Sequence, residues 1–177
     1  MSRPVLVAYA SKHGSTAEVA EVVASTLIDQ GVTVDVCPVA EVEDLFRYGG
    51  VVLGGALYMG RLHEDARRFL RQQRKVLAAL PFAVFAMGPL KLDEKDVGGS
   101  RAQLDHALGK VPEVVPFSIA IFGGVVHRTE LHFPFSKMPE TDARDWDAIH
   151  RWAEELAGHF GTQTTVPAPH LVATTTQ

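Results

Sequence analysis

The chain has 177 residues, 46% hydrophobic and 21% charged, with 15 glycines, 10 prolines and one cysteine. That composition fits one globular domain with a sizeable core and excludes a collagen, a disulfide scaffold and a wholly disordered chain. Its 17 lysines and arginines against 21 acids leave a net charge of −4, so no global field attracts a nucleic-acid backbone and nucleic acid is not an expected partner.

No charged-then-apolar leader stands between Met1-Ser2-Arg3-Pro4 and the first apolar segment, and no apolar run approaches the ~18 residues of a bilayer span. The expected location is the cytoplasm, with at most peripheral membrane contact. Residues 5–8 are a continuous apolar run that reads as a strand. A polar turn at 11–14 follows, then a helix over 17–28 in which Val19, Val22, Val23 and Leu27 recur at helical spacing. Ser15 and Glu18 fit a capping box, and Gly31 closes the helix. Residues 32–37 form the second strand, where Cys37 reads as a small buried side chain rather than a reactive thiol. A third strand covers 50–53, and a helix over about 62–80 turns Leu62, Ala66, Phe69, Leu70 and Leu77 inward. Residues 82–87 are the fourth strand, 101–108 a short helix and 117–122 the fifth strand. The last helix, 142–160, is expected to bury Trp146, Ile149, Ala153, Leu156 and Phe160. Strands apolar on both faces, each joined to the next through a helix, predict a three-layer α/β sandwich around a five-stranded parallel sheet. Residues 1–160 form its single domain and 161–177 a tail rich in Thr and Pro.

In an open parallel sheet, ligands bind beyond the carboxyl ends of the strands. The turn after the first strand, Ser11-Lys12-His13-Gly14-Ser15-Thr16, brings three hydroxyls, a glycine and unpaired helix amides together, a set suited to a phosphate dianion. It is not Gly-x-Gly-x-x-Gly and lacks a Gly-Lys-Ser/Thr ending, which leaves a mononucleotide. After the third strand, Ala56, Leu57, Tyr58, Met59 and Gly60 are expected to hold a flat ring, Tyr58 offering its face and glycine-permitted amides offering donors. After the fourth come Met87, Gly88 and Pro89, at the same end of the sheet and with no tryptophan or tyrosine following them. The long segment 123–140, with His127, Arg128, His132, Phe133 and Phe135, is expected to form a substrate wall.

His127 and His132 lack the i, i+4 spacing of two ligands on one helix face, and no metal site is expected. Ala10 and Gly55 stand where a magnesium-binding receiver domain of similar topology needs acids, which removes that alternative.

The first turn resembles the phosphate loop of flavodoxins, Thr/Ser-x-Thr-Gly-x-Thr, in Ser11, Gly14 and Thr16, with His13 in place of the middle threonine. This resemblance implies a flavodoxin-like fold of strand order 2-1-3-4-5. It also implies non-covalent FMN, its phosphate at residues 11–16 and its ring between 56–60 and 87–89. The stretch from Gly55 to His63, taken with Thr141-Asp142-Ala143-Arg144-Asp145-Trp146, is similar to the menaquinone-dependent protoporphyrinogen oxidases of bacteria. That likeness implies an FMN-dependent dehydrogenase passing electrons from protoporphyrinogen IX to a quinone. That family carries a longer, more basic insertion after the fifth strand than residues 123–140 provide. The expected partners are a small-molecule redox substrate and a quinone or protein electron acceptor. A flavodoxin electron carrier and a flavin- or deazaflavin-binding module without turnover are the alternatives. No residue is assigned as catalytic acid or base, because flavin dehydrogenation can proceed by hydride transfer without one. Arg61, Arg67, Arg68, Arg71, Arg74 and Lys75 read as a solvated helix face, with a grip on an anionic lipid or porphyrin propionate as the alternative.

Overall fold

Successive side chains of the first strand, β1 (Val5–Ala10), point to opposite faces, and both faces are apolar: Leu6 and Ala8 enter one core, Val5 and Val7 the other. A strand of this kind needs cover on both sides, and the chain supplies it. The computed structural model describes residues 2–11, 14–127 and 139–162. In chain order, β1 is followed by α1 (Ser15–Asp29), β2 (Val34–Pro38), a short 3-10 turn at Val39–Glu41, β3 (Gly50–Tyr58) and β4 (Arg61–Leu62). Next come α2 (Glu64–Leu77), β5 (Phe82–Met87), α3 (Glu94–Leu108), β6 (Ser118–Phe122), β7 (Val125–Val126), β8 (Thr141–Asp142) and α4 (Trp146–Thr162).

The five long strands pair in parallel in the order β2-β1-β3-β5-β6, the expected 2-1-3-4-5 arrangement of a flavodoxin-like sandwich. One core joins the sheet to α2 and α3 through Phe69, Leu70, Leu77 and Leu104; the other joins it to α1 and α4 through Val19, Val23, Leu27, Ile149 and Leu156. No helix among the described residues is long and apolar enough to cross a membrane.

Several boundaries differ from the sequence reading. The helix α3 starts at Glu94 rather than 101, because Asp93 caps it by accepting from the Asp96 amide at 2.9 Å, and Gly98 and Gly99 lie on its open side. At the carboxyl end of the fold, Trp146 is 37% exposed and Trp152, at 7%, is the buried indole. Trp152 donates from Nε1 to Ser118 Oγ at 2.8 Å and packs edge-on against Phe85 and Phe122. Trp146 sits at the first residue of α4 under the guanidinium of Arg144, 4.7 Å from its ring centre. Cys37 is only half-buried on the edge strand β2, where burial, then Glu41 and Asp35, push its thiol up and keep it protonated. The helix α4 continues to Thr162, and the expected tail from 163 lies outside the described residues.

Candidate functional site

Strand order reverses between β1 and β3, which lie side by side, and a doubly wound sheet opens a crevice at that point beyond their carboxyl ends. Ala10, the last residue of β1, pairs with Gly55. Ser11 follows, and its Oγ accepts from the Gly14 amide at 2.9 Å, folding the turn on itself. Gly14 adopts a left-handed φ of +85° and caps α1 with no side-chain hydrogen bond, while its carbonyl accepts from the Glu18 amide at 3.0 Å. The expected capping box therefore does not form. Ser15 is already the first helical residue, and the Glu18 carboxylate turns elsewhere. The first-turn amides of α1 lack intrahelical acceptors, as in any helix. Beside them Thr16 is wholly buried, and its Oγ1 has no hydrogen-bond partner among the described residues. Lys12 and His13 lie outside the described residues.

Residues 56–60 are not a glycine-rich loop. The strand β3 runs through Ala56 and Leu57 to Tyr58, turns at Met59 and Gly60 with φ of +51° and +76°, and pairs antiparallel with β4 as Leu57↔Leu62 and Tyr58↔Arg61. Two consecutive positive φ values are what a two-residue type I′ hairpin requires. Gly54 and Gly55, which suggested a loop, lie inside the sheet. A Cβ at Gly54 would collide with the Phe85 ring, and one at Gly55 would fall 2.6 Å from Leu62 Cδ1. Their glycine character serves packing rather than exposed amides. The Ala56 carbonyl accepts from the His63 amide at 2.8 Å, Leu57 packs into the core, and Tyr58 stands 53% exposed at the end of the strand with Met59 exposed beside it.

The segment Met87-Gly88-Pro89 is a backbone ledge. The Met87 side chain is buried in the α1–α4 core, and Pro89 is buried as well. The Gly88 amide donates to the Phe122 carbonyl at 3.2 Å, and the Pro89 carbonyl accepts from the Gly124 amide at 2.8 Å. A Cβ on Gly88 would come within 2.8 Å of Leu57 Cδ1, so the ledge and the end of β3 interlock. Of the expected wall at 123–140, residues 128–138 lie outside the described residues. Near its start β7 pairs with β8, which begins just past its end, as Val125↔Asp142 and Val126↔Thr141.

One group had no role assigned from the sequence. The Arg144 side chain is 9% exposed, forks onto Asp142 through Nε (2.9 Å) and Nη2 (2.6 Å), and donates through Nη1 to the Glu18 carboxylate. These bonds hold the Asp142 carboxyl below the ordinary carboxylate range and raise the guanidinium further. The Asp-x-Arg spacing of 142–144 is visible in the sequence. Its meeting with Glu18 is a product of the fold.

A family model described as a flavodoxin domain matches residues 6–138. Similar solved structures include rubredoxin oxygen:oxidoreductase from Desulfovibrio gigas, at 16% identity and a TM-score of 0.62 over 93% of this chain and 37% of that one. This chain thus spans little more than a third of that protein. A cysteine-to-serine mutant of the Pseudomonas aeruginosa flavodoxin is 19% identical with a TM-score of 0.59, over 89% of this chain and 99% of its own. Two-electron reduced Megasphaera elsdenii flavodoxin is 14% identical with a TM-score of 0.59, over 87% and 98%. At such identities the likeness is one of fold. No curated protein matches the sequence closely enough to count as a relative. The family match, by contrast, covers well over half of the chain, which therefore belongs to the flavodoxin family, whose members bind FMN.

Proposed function

We propose that the chain is an FMN-dependent oxidoreductase that takes electrons from a small-molecule substrate and passes them to a quinone or a protein acceptor. The observation that carries this reading is the asymmetry of the ring-flanking segments: Tyr58 brings an aromatic at the end of β3, whereas Met87-Gly88-Pro89 brings only backbone and buried side chains. Among the described residues these two segments leave one ring face without an aromatic, which suits direct approach by a substrate.

The residues of the turn fit the phosphate of FMN. A buried hydroxyl without a partner costs about 1–3 kcal/mol, and Thr16 Oγ1 is such a hydroxyl, next to first-turn amides and the positive end of the α1 dipole. In this reading Ser15, Thr16 and those amides hold the phosphate, together with Lys12 and His13. Ser11 keeps the turn closed through Gly14, and Tyr58 covers one ring face. FMN, when bound, supplies a two-electron acceptor. The chain's task is to bind it, orient it and leave one approach open.

The finer assignment, a dehydrogenase of the protoporphyrinogen type, rests on the Gly55–His63 and Thr141–Trp146 sequence likeness. A second reading, an electron carrier, is favoured by similarity to flavodoxins over nearly their whole length. Anaerobic absorbance spectroscopy of the FMN-loaded protein separates the two. Bleaching on addition of protoporphyrinogen IX and recovery on addition of a menaquinone is the expected result. Bleaching by a reductase but not by the porphyrinogen supports the carrier. A protein that acquires no flavin absorbance after incubation with FMN, yet does so with a deazaflavin, rules out both readings.

A further inference from the structure

The strongest unassigned feature is a cavity of about 570 Å³ under β4, between α2 and α3, on the sheet face opposite α1. Three elements line it with cations: Arg61 from β4, Arg67 and Arg71 from α2, and Lys110 just past α3. Its floor is apolar, formed by Leu62, Leu70 and Val111, all buried. Among the described residues, no carboxylate lines it. Of the acids near it, Glu64 and Asp65 pair with Arg68, Asp105 with Arg101, and Glu113, beyond α3, with Arg74, while Glu94 and Asp96 at the start of α3 are not among the lining residues. Among the described residues, none of the four lining cations has an ion-pair partner. One of them is fixed in place, since Arg67 donates from Nε to the Leu62 carbonyl at 2.9 Å.

A solvated basic helix would spread its cations over one exposed face and pair many with acids one turn away. Here four unneutralised charges converge from three elements on a concave apolar floor, in a chain whose net charge is −4. Guanidinium forks suit carboxylate and phosphate oxygens, and the cavity's volume is that of a small-molecule site. We infer that this groove binds an apolar molecule bearing two or more oxyanion groups, its body on the Leu62–Leu70–Val111 floor and its charges against the rim. No residue of the proposed phosphate turn lines the groove, whereas Gly60 and Arg61 of the β3–β4 hairpin do.

Isothermal titration calorimetry with biphenyl-4,4′-dicarboxylate, on the protein with and without added FMN, tests this. One molecule is expected to bind per chain, with affinities agreeing within about threefold in the two preparations and about tenfold tighter than biphenyl-4-carboxylate, the size of one charge-assisted contact. Arg71→Ala and Lys110→Ala, both changes at exposed positions, are expected to weaken binding by about five- to tenfold. Arg68→Ala, which removes an arginine already paired outside the groove, is expected to leave it unchanged. Absence of saturable heat, equal affinity for the mono- and dicarboxylate, or unchanged binding in Arg71→Ala and Lys110→Ala would overturn the proposal. Pyrophosphate binding as tightly as the dicarboxylate would remove the apolar body from it. An acidic peptide such as hexaglutamate binding far more tightly would replace it with a protein partner.

Discussion

Arg144 donates to the carboxylate of Glu18 across 126 positions of sequence, joining the segment after β8 to the first turn of α1. Because Asp142 holds the same guanidinium, the start of α1 is tied to the carboxyl end of the sheet beside the turn at Ser11–Thr16. Arg144→Ala leaves two carboxylates without their shared cation. Both are substantially exposed, so solvent screens part of the loss, and the expected destabilisation is about 1–2 kcal/mol, measured by urea denaturation at neutral pH. The pH dependence has a definite sign. Arg144 lowers the folded-state pKa of Asp142, so its stabilisation is complete above the ordinary carboxylate value and disappears as pH falls through the lowered one. Stability profiles of the native protein and Arg144→Ala are expected to converge in acid; parallel curves would show that the pair contributes nothing.

Thr16→Val replaces a buried, unpartnered hydroxyl by a methyl of similar size. Without FMN, the variant is expected to melt at the same temperature or higher, since an unsatisfied hydroxyl costs about 1–3 kcal/mol. With FMN, its affinity, followed by quenching of flavin fluorescence, is expected to fall about tenfold, the value of one charge-assisted hydrogen bond. A lower melting temperature without FMN would mean that the hydroxyl has a structural partner. Unchanged FMN affinity would remove Thr16 from the cradle.

Gly88→Ala places a methyl within 3 Å of both Leu57 Cδ1 and Leu57 Cβ. Overpacking of this kind costs about 1–3 kcal/mol. Combined with Leu57→Ala, the cost of Gly88→Ala should shrink in part, because the Cδ1 contact is removed while the Cβ, 2.9 Å away, stays. A double-mutant cycle in chemical denaturation reads the coupling, and strictly additive effects would refute the interlock between β3 and the ledge.

The alternation of apolar strands with helices was legible from the sequence, and so was the hydroxyl-bearing turn, because both depend on local pattern. Where the reading failed, the deciding contact lay far away in the chain. Gly54 and Gly55 resemble loop residues until Phe85 and Leu62 are seen to occupy the space of their missing side chains, which is why β3 runs on to Tyr58. Gly98 and Gly99 interrupted the periodicity of α3, although its cap, Asp93, was in plain view. Trp146 and Trp152 both suit the apolar phase of α4; only Ser118, Phe85 and Phe122 decide that the second is inside. The capping box was defeated by a single left-handed residue, Gly14, which starts the helix one position early for Ser15 to cap it.

The two-residue turn at Met59 and Gly60 sets Tyr58 directly opposite Arg61, and residues so paired project on the same side of their ribbon. With a flavin against Tyr58 and an anion neutralising Arg61, each event alters the local field felt by the other. With both sites filled as proposed, an occupied groove would make reduction harder, and reduction would in turn weaken the hold on the anion to the same degree, as linkage requires. The hairpin would thereby make electron content and ligand occupancy interdependent.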